Sequence, residues 1–383
     1  STTPGDYQSS YVEEFFQTGH NFNNTVTISG GNDKTTAYFS YGNITASGIT
    51  PENKYQKNNF TFKQSTKMFN DKVTVTSSVL MAMEETKNRL PAGYYLNPLT
   101  GLYMFPRQRN FYDFKNNYEV FDNDRNLFAQ NWFVVDHHQS NPYWIVNKQP
   151  KTDESKRIIG SLSLDYEISE KLKLQVRGNY DYAVKEFEQQ HAATSNSTNV
   201  HPKGAWDYRK YDDQLVYTDA ILSYDTDLSD SFSLNGVLGA SYQKTVYGDG
   251  VSVGTGTIGL LYPNEFNFQN LPTNVQVSST YDGSVIKQGA FANLQLGFKE
   301  MLFLDLSGRN DWASTLALTG NDSYFYPSVG ITGILSEMFT MPEAVSFGKL
   351  RASYTQVGNE VPFNRINPQN TIASNGGVNR NTV

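Results

Sequence analysis

The 383 residues contain no cysteine. That excludes disulfides, thiolate metal sites and cysteine nucleophiles, and with them the small disulfide-stapled secreted class. Charged residues make up only 18%, and the net charge is −7. With no basic excess there is no face to track phosphates, which argues against nucleic acid as a partner. No run of about 18 apolar residues occurs, so a membrane-spanning helix is excluded. A mean hydropathy of −0.53 looks soluble, but a strand can hide an apolar face at every second residue. The first residues, Ser1 to Asp6, do not read as a signal peptide. What is abundant is aromatic: 25 Tyr and 24 Phe, residues that favour strands and apolar–polar boundaries.

The clearest pattern lies between Ser155 and Glu188. Leu162, Leu164, Tyr166 and Ile168 alternate with Ser161, Ser163, Asp165 and Glu167. After Ser169-Glu170 the alternation resumes, with Leu172, Leu174 and Val176 against Lys171, Lys173, Gln175 and Arg177. Period-2 alternation puts each set on one side of a strand, and a link of about two residues makes the strands antiparallel neighbours.

The same unit recurs along the chain. Strand pairs are expected at 21–31 with 35–45, 54–68 with 73–85, 215–228 with 232–247, 285–298 with 302–309, and 324–335 with 347–357. Long loops are expected near 88–154, 189–211, 248–284 and 310–323. About twelve strands result, with short turns at one end and long loops at the other. The fold class is all-β: an antiparallel up-and-down sheet. Strand length and the end asymmetry fit a transmembrane β-barrel. Aromatics near strand ends (Tyr180, Tyr182, Tyr217, Tyr247, Tyr324-Phe325-Tyr326) suit bilayer interfaces. A soluble sandwich has the same periodicity but usually carries long loops at both ends. The choice turns on whether the apolar face meets lipid or a second protein layer.

Particular residues carry a resemblance. Gly30-Gly31 followed by Thr35-Thr36-Ala37-Tyr38 and Gly48-Ile49 resembles an early barrel hairpin of the SusC/RagA-type TonB-dependent outer-membrane transporters. Asn141-Pro142-Tyr143-Trp144 before Arg157-Ile158-Ile159-Gly160 is similar. So is Phe303 to Trp312 (FLDLSGRNDW) with Tyr324-Phe325-Tyr326-Pro327-Ser328. Lys349 to Tyr354 (KLRASY), with Gln356-Val357-Gly358-Asn359, completes the set. The resemblance implies an outer-membrane barrel of about 22 strands blocked by a plug, energised import of oligosaccharides or peptides, and a SusD-like lipoprotein over the outer mouth. These residues hold neither the plug nor the TonB-contacting segment, so the natural protein is expected to continue beyond both ends. A secreted glycan-binding module and a non-transporting surface barrel are the alternatives.

No catalytic constellation is apparent, and no enzyme activity or cofactor is expected. The five histidines (His20, His137, His138, His191, His201) lack metal-ligand spacing, and the adjacent His137-His138 read as solvated loop residues. Asp122-Asn123-Asp124 lacks the twelve-residue Ca²⁺ loop pattern. No pair of carboxylates stands out for glycoside hydrolysis. The candidate contact residues are Trp132, Tyr143, Trp144 and Trp206 in long loops, and Trp312 just past a strand end. Their rings can pack the loops together, meet a partner, or stack on substrate.

Overall fold

A computed structural model describes residues 10–136, 138–195, 198, 200–280, 283–317, 319–362, 366, 370–372 and 378–380. Among the described residues the first element is a short helix α1 (Tyr11–Phe15), and a meander follows. β1 (His20–Gly31), β2 (Thr35–Ser47), β3 (Lys54–Met68) and β4 (Val73–Lys87) pair in order. A long excursion follows, with helices α2 (Pro98–Met104), α3 (Tyr112–Lys115) and α4 (Pro142–Lys148) and a detached hairpin β5 (Glu119–Asp122) and β6 (Leu127–Gln130). The wall resumes with β7 (Lys151–Glu167), β8 (Leu172–His191), β9 (Ala205–Ser229) and β10 (Phe232–Gly254). A short β11 (Val277–Thr280) adds to β10. β12 (Gly283–Phe298), β13 (Leu302–Ala313), β14 (Ser323–Ile334) and β15 (Lys349–Thr355) complete it. Twelve strands thus form one antiparallel path from edge β1 to edge β15, as the alternation implied.

The tight turns are knitted to their neighbours. The carbonyl of Lys34 accepts from the Lys67 amide at 2.7 Å, that of Lys72 from Glu167 at 2.8 Å, and that of Lys171 from Asp225 at 2.9 Å. Ser231 accepts from Lys299 and Met301 from Ile334, both at 2.8 Å. Phe69, Asn70 and Asp71 take φ of 53°, 57° and 68°, and Lys299 and Glu300 take 49° and 57°. Left-handed backbone in such turns matches the twist of the strands they join.

The two faces of the sheet differ sharply. Leu162, Leu164 and Tyr166 are 55%, 37% and 38% exposed, while Ser161, Ser163 and Asp165 between them are half-buried. The sheet therefore curls with its polar face inside, where curvature crowds the side chains. Register carries the apolar face across strands: Tyr224, Gly236, Leu294, Leu306, Val329 and Tyr354 form one continuous row. The buried apolar clusters lie among the loops and at strand tops, and none of Leu162, Leu164, Leu294 or Leu306 belongs to either. Apolar side chains that meet no protein are stable only in an apolar solvent, so the lipid-facing arrangement holds.

Two expectations are modified. The strands flanking residue 200 run further than the alternation suggested: β8 is 20 residues long and β9 is 25, where a tilted transmembrane strand needs about 9–11. Above Tyr182 their outward positions become charged and pair across strands, Lys210 with Glu186 at 3.3 Å and Trp206 Nε1 with Glu188 at 2.9 Å. These pairs hold the ladder together beyond the apolar band. The aromatics near strand ends also do not form one belt. Tyr180, Tyr182 and Phe325 share the outward face, whereas Tyr217, Tyr324 and Tyr326 lie on the inner one. Their hydroxyls are needed there, Tyr217 donating to Asp219 at 2.9 Å and Tyr326 to Asp311.

Leu306→Arg on the outer face of the full-length receptor should cost up to about 2–4 kcal/mol of insertion stability. Ser307→Lys on the inner face should cost little. Urea titration of folding into lipid vesicles, followed by heat-modifiable gel mobility, separates the two.

Candidate functional site

The loops fold on each other. Two Asn-Pro pairs start helices in the long excursion: Asn97 caps α2 by accepting from Leu99 N at 3.0 Å, and Asn141 caps α4 by accepting from Tyr143 N at 2.9 Å. Both place Pro at the first helical position, where no amide is needed. Asn141 is fully buried and does more than cap. Its Nδ2 donates to the carbonyls of Phe114 (2.8 Å) and Asn131 (2.9 Å), and its backbone amide donates to Gln130 Oε1 (2.7 Å). Gly101 lets α2 approach this hub, since a Cβ there would sit 2.1 Å from the Ser140 carbonyl oxygen.

Around the hub lies an aromatic core of Tyr11, Phe15, Leu102, Phe105, Phe111 and Val146, with Trp132 and Tyr143 packed against it. Trp132 meets Phe105 and Phe114 at 5.4 Å. Tyr143 meets the edge of Phe15 at 5.4 Å. Trp144 is 1% exposed, and its Nε1 donates to Ser195 Oγ at 2.9 Å, tying the excursion to the loop after β8. Trp206, 3% exposed, anchors a second cluster with Val253 and Leu260. Asn264 Oδ1 accepts from Ala193 N at 2.6 Å, joining the third loop. Trp312 stands apart on the outer face of β13, 41% exposed. The structure therefore packs Trp132 and Tyr143 against one core, buries Trp144 against Ser195, places Trp206 in a second cluster, and leaves Trp312 on the wall.

Other residues are more open. Tyr94 and Tyr95 stack at 4.4 Å, and His138 stacks on them at 5.2 and 5.5 Å, its Nδ1 held by Asp136 at 2.9 Å. Phe121 and Phe128 form an exposed edge-to-face pair at 5.3 Å on the detached hairpin. The Tyr94-Tyr95 doublet beside Gly93 was visible in the sequence; the arrival of His138 needed the fold. His137 lies outside the described residues. Among the described residues no group of three or more His, Asp or Glu is placed to hold a metal ion.

Charge shapes the loop assembly too. The Glu14 carboxyl is held below its usual range, mainly by the Tyr112 hydroxyl at 2.6 Å, with Ser10 and Lys115 adding to the effect. Burial, reinforced by Glu14 and Tyr112, pushes the Tyr143 phenol up to about 12.

The inner wall is the other surface open to chemistry. Arg177 binds Asp219 through Nε at 2.9 Å and Nη2 at 2.6 Å. Arg157 grips Asp181, with Nε at 2.7 Å. Arg309 Nε donates to Asp311 at 2.8 Å, and Lys185 to Asp213 at 2.7 Å. These charges are matched within the wall, which leaves a hydrogen-bonding surface rather than a field of one sign.

A TonB dependent receptor-like, β-barrel family model matches residues 93–382. The chain belongs to that family. It is 26% identical over 354 residues to TonB-dependent receptor P26 of Formosa agariphila, covering 88% of this chain and 33% of that one. Its fold is shared with the RagAB peptide transporter (TM-score 0.75, 18% identity, 98% of this chain and 41% of that one). The RagAB peptide importer in its open-open state gives a TM-score of 0.76 at 16% identity, over 97% and 40% of the two chains. The chain thus spans a third to two-fifths of the length of these relatives. The SusC/RagA-type barrel expected from the motifs is the fold observed.

Asn141→Ala should leave the Phe114 and Asn131 carbonyls unpaired at about 1–3 kcal/mol each. Residues 88–150 should then exchange amide hydrogens faster while the wall strands stay protected. The Glu14 pairing works in a defined pH window. Its lowered folded pKa stabilises the pairing above the ordinary glutamate value of 4.5, and that support is lost as pH falls through the folded value. Pepsin cleavage between Ser10 and Gln17 should accelerate on acidification below 4.5, and Tyr112→Phe should remove much of that dependence.

Proposed function

We propose that this chain is part of the barrel of an outer-membrane, TonB-dependent importer of nutrients, oligosaccharides or peptides, working with a SusD-like surface lipoprotein. The observation that carries the reading is the division of one continuous sheet: an unpartnered apolar face outside and a charge-matched, hydrogen-bonding face inside. Such a wall separates lipid from a wet interior. Family membership supports the energised mode, in which TonB acts through a region N-terminal to the barrel. The long-loop end is then the extracellular end. Its interlinked loops form a firm platform, with Tyr94, Phe121 and Phe128 exposed toward a lid protein or substrate. In this reading Trp132, Tyr143, Trp144 and Trp206 serve partner and substrate by fixing the shape of that platform, and Trp312 sits at the outer bilayer interface. The single-layer sheet disfavours the soluble sandwich module.

The test is uptake of fluorescent oligopeptide and oligosaccharide pools by cells carrying the full-length receptor. Uptake of at least one pool should be lost when the receptor or TonB is deleted, and a lipoprotein should co-purify with the receptor. Unchanged uptake of both pools after either deletion overturns the proposal.

A further inference from the structure

The outer face of the sheet is not uniformly filled. A furrow of about 460 Å³ runs across β12, β13 and β14 to Tyr354 of β15. Register puts Ala292, Gly308 and Pro327 in one row along its floor, with Leu294, Leu306 and Val329 in the row on the turn side. Phe325 forms the bank toward the long loops. Its ring lies against Gly308, where a Cβ would meet two ring carbons at 3.0 Å. Glycine therefore lets the ring lean in and steepen the bank. The three rows cover about 14 Å along the strands. A further strand pairing with the β15 edge would lengthen the wall sideways and leave the furrow open.

Polar side chains stand at its upper end. Asn310 shares a row with Ala290 and Phe325, inside the apolar band and one step below Gln288, Trp312 and Ser323. Its side chain has no partner among the described residues. An amide that faces hydrocarbon alone is costly, so a partner from the lipid itself is favoured. One step above the Gln288 row, Lys244 is exposed on the same face between Val216 and Ile286. No carboxylate pairs with it among the described residues.

We propose that the furrow holds an acyl chain of a phosphorylated glycolipid of the outer leaflet. Asn310 bonds the ester, amide or hydroxyl at the head of that chain, and Lys244 faces its phosphate. The inference rests on the importer reading above, which puts the long-loop end outside. Apolar floor, then lone amide, then indole and amide row, then cation: this is the order of groups along such a lipid from chain to charged head. A long, shallow, apolar furrow suits a flexible hydrocarbon chain, and its volume lies within the range of small-molecule clefts. Anionic head groups favour basic side chains at the membrane surface. A second barrel fits less well, because Lys244 would then lose water without gaining a partner.

Native mass spectrometry of the full-length receptor, purified in mild detergent and stripped of lipid, tests this. The probe is purified lipid A, with phosphatidylglycerol as the comparison. The unmodified receptor should keep one lipid A at collision energies that remove phosphatidylglycerol. Asn310→Leu should weaken lipid A binding about tenfold, the worth of one hydrogen bond in apolar surroundings. It makes the outer face more apolar, so folding is retained. Ala292→Trp, which fills the furrow, should abolish the one-to-one adduct, and Lys244→Gln should weaken it. Leu164→Trp, on the outer face of β7, should leave it unchanged. Heat-modifiable gel mobility shows that each variant is folded. Absence of a one-to-one adduct, equal retention of phosphatidylglycerol, or equal loss in Leu164→Trp overturns the proposal, since only an unselective lipid annulus then remains. The orientation is read separately, by labelling Asp124→Cys in the detached hairpin with an impermeant maleimide on intact cells. Absence of label overturns the importer orientation, and with it an outer-leaflet occupant, whatever the receptor retains in detergent.

Discussion

Every backbone group of a membrane wall must find its partner within the wall, because hydrocarbon offers none. Between its edge strands β1 and β15 the twelve-strand meander meets this demand by continuous antiparallel pairing, and its turns extend the ladder instead of ending it. With the backbone satisfied, the side chains are free to serve two solvents. The outward row from Tyr224 to Tyr354 is apolar on every strand it crosses. The row through Arg177, Asp219, Ser241 and Asp311 lies on the other face of the same strands. Neither face needs a second protein layer.

The loops obey the opposite rule. They lie in water and must make a core of their own. They do so with aromatic side chains packed around a buried asparagine, and with α1, which threads back from before β1 to supply Tyr11 and Phe15. Hydrogen bonds from Trp144 to Ser195 and from Ala193 to Asn264 make three loops one body. In the proposed importer, such a platform would leave little ordering entropy to be lost when a lid or solute binds.

The inner wall joins these two regions. Many of its charged groups are paired with one another, Arg177 with Asp219, Arg157 with Asp181 and Lys185 with Asp213.

Much of the fold was legible in the residues themselves. Alternation such as Leu162/Ser163/Leu164/Asp165 has a strict period, and short polar turns leave adjacent strands no option but to pair. The motifs around Asn141-Pro142-Tyr143-Trp144 and FLDLSGRNDW named the barrel type for the same reason: they lie in local, ordered segments. The upper reach of β8 and β9 was less legible, because Glu186, Lys210 and Tyr208 hold their strands by cross-strand pairs and not by an apolar face. Period 2 also could not say that Tyr217 and Tyr326 turn inward while Phe325 turns out, since that depends on which carboxylates wait across the ladder. The strands, their order and their two-sided character could be read from the residue pattern, because all arise from contacts between near neighbours. The burial of Trp144 and Trp206 and the meeting of Tyr11 with Phe105 emerged in three dimensions alone. Those outcomes depend on groups far apart in the chain, and no local pattern encodes them.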